Sequence, residues 1–308
     1  MVNYPDLTES QQKTLPELVQ VTALPVMYDD STNRLWHCET VDGPMMLKIC
    51  DSHNVKSSTF WQGMQSLFDI NLPRQLEHFE QLYSHINTIS CLAIPEYIAS
   101  ASASASASAS SSENELSSAF ILARLLQGSM VESSHVDANM VRELAAQISQ
   151  LHQSQRVTWG AVYSQGMDVS LWTDRLRNTV ITLADKPSNI ISSAILNDAL
   201  AEIENCEVES FVPIMPDLRW DQFLQQDGNL TALVDLDAIV YGPRELELVL
   251  LEFLLDEQHA AIFIEEYQQL HSLPDLSPVR KPYRLLLFMM NVLGEKNVDA
   301  WMQAPTRF

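Results

Sequence analysis

The segment from Ile214 to Leu248, IMPDLRWDQFLQQDGNLTALVDLDAIVYGPRELEL, carries two carboxylate clusters separated by a turn. Asp217 is followed five residues later by the amide Gln222, and an apolar run leads into Asp235. The Asp227-Gly228 pair between them is typical of a tight hairpin turn. A hairpin brings its two ends together, so we expect Asp217, Gln222 and Asp235 to converge. Their oxygen atoms suit a magnesium ion and a hydroxyl beside it.

This segment resembles the aminoglycoside phosphotransferase and choline kinase family, the small-molecule branch of the protein-kinase-like fold. The family's catalytic loop reads His-Gly-Asp-Leu-His-x-x-Asn-x-Leu, and residues 215–224 read MPDLRWDQFL. The family's second motif is an apolar strand, an Asp, then Gly-x-Pro and a helix start. Residues 233–248 carry the strand, Asp235 and the helix start, with Gly242-Pro243 at the position of Gly-x-Pro. The aspartates and their spacing are kept. The His-Gly pair is replaced by Met-Pro, and the Asn is replaced by Gln222.

The resemblance implies an α+β fold with two lobes and two cofactors, ATP and Mg²⁺. Residues 1–127 would form a nucleotide-binding lobe, an antiparallel sheet with helices, that includes a low-complexity loop at 99–115. Residues 128–308 would form a mainly helical lobe that binds the substrate and carries the catalytic residues. In the implied roles, Asp217 accepts or orients the substrate hydroxyl, and Gln222 and Asp235 hold the metal.

The amino-terminal half supplies the nucleotide contacts that the resemblance implies. Lys48 lies in the apolar strand predicted at 45–50, where an inward lysine is costly unless it meets an anion. In the family a lysine of the third strand holds the α- and β-phosphates. Family members pair that lysine with a glutamate from the following helix. Glu77 and Glu80 both compete for that role, and we favour Glu77.

The segment 120–128, FILARLLQG, matches the family's fifth strand and hinge. A hinge offers backbone N–H and C=O groups to adenine, so its side chains can vary. The resemblance therefore implies nucleotide contacts at Ala123 and Leu125. Arg124 occupies a position where the family often has Glu, so a side-chain role at this position does not carry over.

Composition narrows the range of partners. The chain of 308 residues has a net charge of −22, which repels phosphate backbones and anionic lipid. We therefore expect no nucleic-acid or membrane partner, and a cationic or neutral small-molecule acceptor. The four cysteines form no C-x-x-C pair, so neither a zinc site nor a disulfide framework is indicated. The polar, acidic start is not a secretory signal, and a cytoplasmic protein is expected.

Hydrophobic periodicity and turn residues predict short strands first and helices later. A helical pattern ends at His152, which we interpret as a packed histidine. After the central segment, one long helix is predicted over 245–263. Strands are predicted at 21–28, 34–40, 45–50, 94–98 and 119–123, and further helices at 58–68, 72–86, 141–152, 171–184, 194–203 and 283–293.

The residues favour a small-molecule kinase, with two rivals. A pseudokinase that binds a nucleotide or a protein is favoured by the Met-Pro replacement, by Gln222 and by Arg124. An antibiotic-resistance kinase is the third hypothesis, and it rests on acidity and on the family resemblance.

Overall fold

The computed structural model describes residues 2–25, 31–103 and 118–308. Contacts divide the chain into two compact units. The amino-terminal unit comprises residues 1–58, 71–85 and 95–127, and the carboxy-terminal unit comprises residues 59–70, 86–94 and 128–308. The second unit thus includes two segments that precede residue 128 in the sequence. None of the described helices is both long enough and apolar enough to cross a bilayer.

The amino-terminal unit is built on a five-stranded antiparallel sheet in the order β1-β2-β3-β5-β4. Its strands are β1 (Leu18–Ala23), β2 (Asn33–Thr40), β3 (Gly43–Cys50), β4 (Tyr97–Ala101) and β5 (Phe120–Arg124). Its helices are α1 (Glu9–Gln12), α2 (Ser52–Ser57), α4 (Leu72–Gln75) and the first part of α5 (Phe79–Ile89). A tight turn at Asp42-Gly43 joins β2 to β3, and Gly43 adopts φ +106° there.

Two predictions for this unit were wrong in extent. β1 begins at Leu18 rather than Val21, and the predicted end of that strand at 26–28 lies outside the described residues. β4 runs into the serine-alanine tract as far as Ala101, because its backbone pairs with β5 and the Ser100 hydroxyl donates to the Leu76 carbonyl. Strand pairing through the backbone does not need large side chains. Residues 104–115 of the predicted loop lie outside the described residues.

The carboxy-terminal unit contains two small sheets among helices. One sheet has the order β11-β10-β6 and the other β8-β7-β12-β9. The strands are β6 (Ser129–Met130), β7 (Thr158–Ala161), β8 (Met167–Asp168), β9 (Val212–Ile214), β10 (Phe223–Gln226), β11 (Asn229–Leu233) and β12 (Val240–Gly242). The helices are α3 (Thr59–Phe68), α6 (Ala138–His152), α7 (Trp172–Ala184), α8 (Ser193–Glu202), α9 (Arg244–Leu254), α10 (Glu257–Tyr267), α11 (Arg280–Met289) and α12 (Val298–Met302).

The single helix predicted over 245–263 was wrong, because two helices, α9 and α10, occupy this region. Leu255 adopts an extended backbone at the end of α9. Asp256 then begins α10 as its N-cap, accepting a hydrogen bond from the His259 N–H at 2.8 Å. An Asp side chain competes well for a free helical N–H, so it favours a new helix start over continuation.

A buried ion cluster joins α9, α11 and the end of the chain. The Glu252 carboxylate is fully buried and accepts hydrogen bonds from Arg284 at 2.7 Å and Arg280 at 3.1 Å. The backbone N–H of Arg307 adds a third donor at 3.0 Å. Arg284 also donates to backbone carbonyls of residues 302, 304 and 305. A buried carboxylate with this many donors is stable only while its cations are present.

Candidate active site

The hairpin predicted around Asp227-Gly228 is formed by β10 and β11. Both turn residues have positive φ, +52° for Asp227 and +79° for Gly228, which is the type I′ pattern of a two-residue hairpin loop. Phe223 pairs with Leu233, so the residues just before β10 lie opposite those just after β11. The backbone N–H of Val234 donates to the Gln222 carbonyl at 3.0 Å and extends this pairing by one step. The hairpin therefore brings Gln222 next to the segment that carries Asp235.

Asp217 and Asp235 act on each other electrostatically. Asp217 is partly buried. Its pKa is raised from 3.8 to about 7, first by burial and next by the negative charge of Asp235. Arg219 and a hydrogen bond from Gln222 oppose this shift. The structure thus brings together three of the residues predicted from the sequence, Asp217, Gln222 and Asp235.

The loop that carries Asp217 is compact and internally bonded. The Leu218 N–H donates to the Met215 carbonyl at 3.0 Å, and a single 3₁₀ turn over Trp220–Gln222 leads into β10. The Arg219 Nε atom lies 3.1 Å from Asp221 Oδ1. Arg219 and Asp221 are both partly buried, so this ion pair is shielded from water.

A buried carboxylate from α9 is hydrogen-bonded to the backbone of the Asp217 loop. The sequence analysis did not identify this residue. Glu247 Oε1 accepts the Met215 N–H at 2.7 Å, two residues before Asp217. Glu247 Oε2 lies 2.8 Å from His152 Nε2, and His152 Nδ1 lies 2.8 Å from the Tyr267 hydroxyl. The signal was available, because an acidic residue at a core position of an apolar helix requires buried donors. The interpretation of His152 as a packed residue is confirmed, since its side chain is fully buried.

These contacts fix the roles of the buried ring and phenol. A carboxylate only accepts hydrogen bonds, so His152 donates to Glu247 from Nε2, and its Nδ1 atom is hydrogen-bonded to the Tyr267 hydroxyl. Burial raises the pKa of Tyr267 to about 12, which keeps the phenol protonated as a donor. The Met215 N–H is therefore bonded to a series of three hydrogen-bonded side chains, which come from α9, α6 and α10.

The nucleotide-contact residues predicted from the sequence lie in the amino-terminal unit. Lys48 alternates along β3 with Leu47 and Ile49, which are fully buried. Successive strand residues face opposite sides, so Lys48 lies on the face away from the core that these neighbours fill. Glu77 lies in a 3₁₀ turn over 76–78, its side chain is 63% exposed, and its carboxylate is 3.7 Å from His78 Nε2. Its pairing with Lys48 stays a prediction.

The predicted hinge follows β5. Ala123 is buried and pairs with Met46 of β3 and Tyr97 of β4. Leu125 comes just after the strand, and its N–H donates to the Pro44 carbonyl at 3.1 Å. Arg124, the departure from the family pattern, donates to the Glu96 carboxylate at 2.7 Å and to a backbone carbonyl of the β2–β3 turn. Its guanidinium thus joins strand ends within this unit.

The donor chemistry of the hairpin is compatible with a magnesium ion. Mg²⁺ is usually held in proteins by one or two carboxylates, with water and substrate phosphates completing the octahedron. Asp217 and Asp235 are close enough that the charge of Asp235 raises the pKa of Asp217. A bound cation would reduce the repulsion between the two carboxylates. Within the described ranges, no group of three or more His, Cys, Asp or Glu side chains is placed to hold a metal.

The sheets, the helical segments and the carboxylate hairpin together define a two-lobed, protein-kinase-like α+β fold. The chain shares this fold with the aminoglycoside phosphotransferases, so the resemblance inferred from the sequence is confirmed at the level of the fold.

Three solved structures illustrate the similarity. A putative fructosamine-3-kinase from Haemophilus somnus 129PT is 16% identical, with a TM-score of 0.58 over 96% of this chain and 92% of that one. A macrolide 2'-phosphotransferase from Brachybacterium faecium is 14% identical, with a TM-score of 0.56 over 94% and 93%. A thermostable mutant of aminoglycoside phosphotransferase APH(4)-Ia, in a ternary complex with ADP and hygromycin B, is 18% identical, with a TM-score of 0.57 over 93% and 91%. No protein-family model matches the chain, and no curated protein sequence matches it significantly.

Proposed function

We propose that the chain is an ATP- and magnesium-dependent phosphotransferase that acts on a hydroxyl group of a small molecule. The observation that carries the proposal is the position of Asp217. It lies on a supported loop beside Asp235, and its pKa is held at about 7. The fold it shares with phosphotransferases of macrolides and aminoglycosides supports the same reaction class.

Asp217 is suited to accept a proton from an acceptor hydroxyl. A general base works best when its pKa lies near the working pH, and burial and Asp235 bring Asp217 to that range. In phosphoryl transfer the protein acts chiefly by positioning and by stabilising charge. The Glu247 bond to the Met215 N–H keeps the backbone of the Asp217 loop in one conformation. Positioning of the acceptor oxygen would follow from this rigidity.

The remaining roles follow the sequence-based assignment. Asp235 would hold the magnesium ion, and the sequence also predicts Gln222 as a ligand. A bound magnesium ion would supply positive charge that offsets the charge developing on the phosphates. Lys48, supported by Glu77, would hold the α- and β-phosphates, and the amino-terminal unit would be the nucleotide-binding lobe.

Adenine would contact the backbone at Ala123 and beyond. The Leu125 N–H is already bonded to the Pro44 carbonyl, so the adenine contact at this residue would use its carbonyl group. At Leu125 the backbone would thus offer adenine only its C=O group, whereas the sequence analysis assigned the hinge both N–H and C=O groups. A cytoplasmic location, where ATP is abundant, fits this use of the nucleotide.

The acceptor class is inferred from the neighbours and from charge. The names of the similar proteins refer to macrolides, aminoglycosides and fructosamine, all of which carry sugar-type hydroxyl groups. The net charge of −22 favours a cationic or neutral molecule over an anionic one. We therefore propose a polyhydroxylated, amine-bearing or neutral acceptor.

The proposal is tested by ATP turnover with a panel of amino sugars, glycated amines and macrolides. Acceptor-dependent turnover should fall by at least about a hundredfold in Asp217→Asn, which removes the base and keeps the shape. Asp227→Asn is the matched control. It makes the same chemical change at the exposed hairpin turn, where Asn also tolerates positive φ, and it should retain wild-type turnover. Equal turnover by wild type and Asp217→Asn would contradict the catalytic assignment.

A pseudokinase is the rival that the Met-Pro loop favours. Thermal-shift titration with magnesium and ATP separates a nucleotide-binding protein from one that binds only a protein partner. A kinase should be stabilised at millimolar nucleotide. No shift would favour a protein-binding module. The antibiotic-resistance hypothesis is tested separately by growth on aminoglycosides with and without the gene, where equal growth counts against it.

A further inference from the structure

Gln222 is bonded to its own loop through both ends of its side-chain amide. Its Oε1 atom accepts the Arg219 N–H at 3.0 Å, and its Nε2 atom donates to the Asp217 carbonyl at 3.2 Å. The residue is 2% exposed. The assignment of oxygen and nitrogen is unambiguous here, because a flipped amide would set donor against donor and acceptor against acceptor.

The length of the side chain explains this geometry. Arg219 is the N-cap of the 3₁₀ turn, and Gln222 is the third residue of that turn. Glu and Gln at this third position reach back to the N-cap N–H, as in a capping box. An Asn at the same position is one methylene shorter. Gln222 is therefore long enough to bond the Arg219 N–H, whereas the Asn found in the family would be too short.

The backbone of Gln222 makes a second connection. Its carbonyl accepts the Val234 N–H at 3.0 Å, and Val234 immediately precedes Asp235. One residue thus joins the backbone of Asp217, through its side chain, to the segment carrying Asp235, through its main chain. Gln222 therefore connects the backbones of the two segments that carry these carboxylates.

We propose that Gln222 is a positioning residue, a cap that sets the geometry of the Asp217 loop, and does not act as a magnesium ligand. The metal would then take Asp235 as its main protein ligand, with water and phosphate oxygens completing its shell. The catalytic meaning of this inference rests on the proposed function, but the capping role concerns the metal-free protein and is tested there.

The test follows the Arg219 amide by hydrogen exchange in protein labelled with ¹⁵N-arginine. In the metal-free wild type this amide should be protected, and protection should persist after MgCl₂ and ADP are added. Gln222→Met keeps the volume and removes both hydrogen bonds, so protection should fall at least about tenfold and the melting temperature should drop. Gln222→Asn, which restores the family residue but is too short to cap, should lose protection as well.

Metal affinity supplies the second measurement. Mn²⁺ binding to the ADP complex, followed by electron paramagnetic resonance, should change less than about threefold in Gln222→Met, because the Gln222 side chain bonds the Asp217 backbone and not the proposed ligand Asp235. Loss of a metal ligand should weaken it by about tenfold or more. Asp235→Asn shows that the assay detects a lost ligand, and it should keep Arg219 protection. Loss of wild-type Arg219 protection on adding Mg²⁺ and ADP, or a tenfold weaker Mn²⁺ affinity in Gln222→Met, would overturn the proposal. If Mn²⁺ and ADP fail to bind at all, the proposed function fails, while the exchange measurement in metal-free protein still decides the capping role.

Discussion

Replacing Asp217 with Asn should make the metal-free protein relatively more stable as the solution becomes alkaline. In the folded protein the pKa of Asp217 is raised to about 7, mainly by burial and then by Asp235. In the unfolded chain this pKa returns to about 3.9. Between these two values the folded state binds more protons than the unfolded state. The wild type therefore loses stability as pH rises through this window, whereas the Asn variant has no proton to lose at this position.

The magnitude follows from the width of the window. Each pH unit costs about 1.4 kcal/mol while the folded group stays protonated and the unfolded group is ionised. From about pH 5 to about pH 8.5, roughly two units fall below the folded pKa. The free energy of unfolding of Asp217→Asn should thus gain about 3 kcal/mol on the wild type across this interval. The same substitution removes the proposed base. The Asn variant should therefore lose activity while its stability relative to the wild type increases with pH.

Urea denaturation at both pH values, with EDTA present, measures this difference. Using the difference between the two proteins cancels the groups that titrate independently of Asp217. Asp275→Asn is the control of opposite type, because hydrogen bonds from the Ser277 hydroxyl and from the Ser277 backbone N–H lower the pKa of Asp275. Above its unfolded pKa of about 3.9, an Asp with a lowered folded pKa is ionised in both the folded and the unfolded state. The difference in unfolding free energy between this control and the wild type should therefore stay constant across the window. A change below about 1 kcal/mol for Asp217→Asn would show that its carboxylate is not penalised by burial and by Asp235.

Three further perturbations test the supports of the site and the nucleotide contact. Glu247→Gln should cost about 2 kcal/mol of unfolding free energy and reduce turnover, since one of its two donors then faces an NH₂ group; Glu245→Gln, on the same helix at a partly exposed position, should change neither quantity measurably. Lys48→Met should weaken MgATP binding at least about tenfold by calorimetry, while Lys56→Met on the exposed side of α2 should leave it unchanged, and equal affinities would refute the phosphate role. Arg284→Met should destabilise the protein by about 3 kcal/mol in chemical denaturation, because it leaves a buried carboxylate short of its cation; a loss below about 1 kcal/mol would contradict this reasoning.

Local patterns in the sequence were sufficient for most of the strands and for the hairpin. The type I′ turn at Asp227-Gly228 follows from two residues that tolerate positive φ, and the strand that carries Lys48 follows from an apolar run. The fold class was implied by the resemblance of the two aspartate motifs to a known family, and it is confirmed by the structural neighbours. The turn and the strands depend on residues that are near one another in the chain, so local physical chemistry determines them.

The extents of elements were less predictable. Periodicity alone continued one helix through Asp256, because apolar residues lie on both sides of that position, although the Asp side chain satisfies a helix start better than an interior. β4 likewise continued into small polar residues because a partner strand was present to receive its backbone. Boundaries of this kind are decided by competition between a local preference and a tertiary contact.

Tertiary structure alone decided how the Asp217 loop is held. Glu247 reaches the Met215 N–H from 32 residues further along the chain, and His152 reaches Glu247 from 95 residues away. No local pattern encodes such pairings, because they exist only after three helices pack together. The perturbed pKa of Asp217 has the same origin, since burial and the charge of Asp235 act through space. The sequence by itself determined which groups could do chemistry, and packing determined their protonation, their partners and their separation.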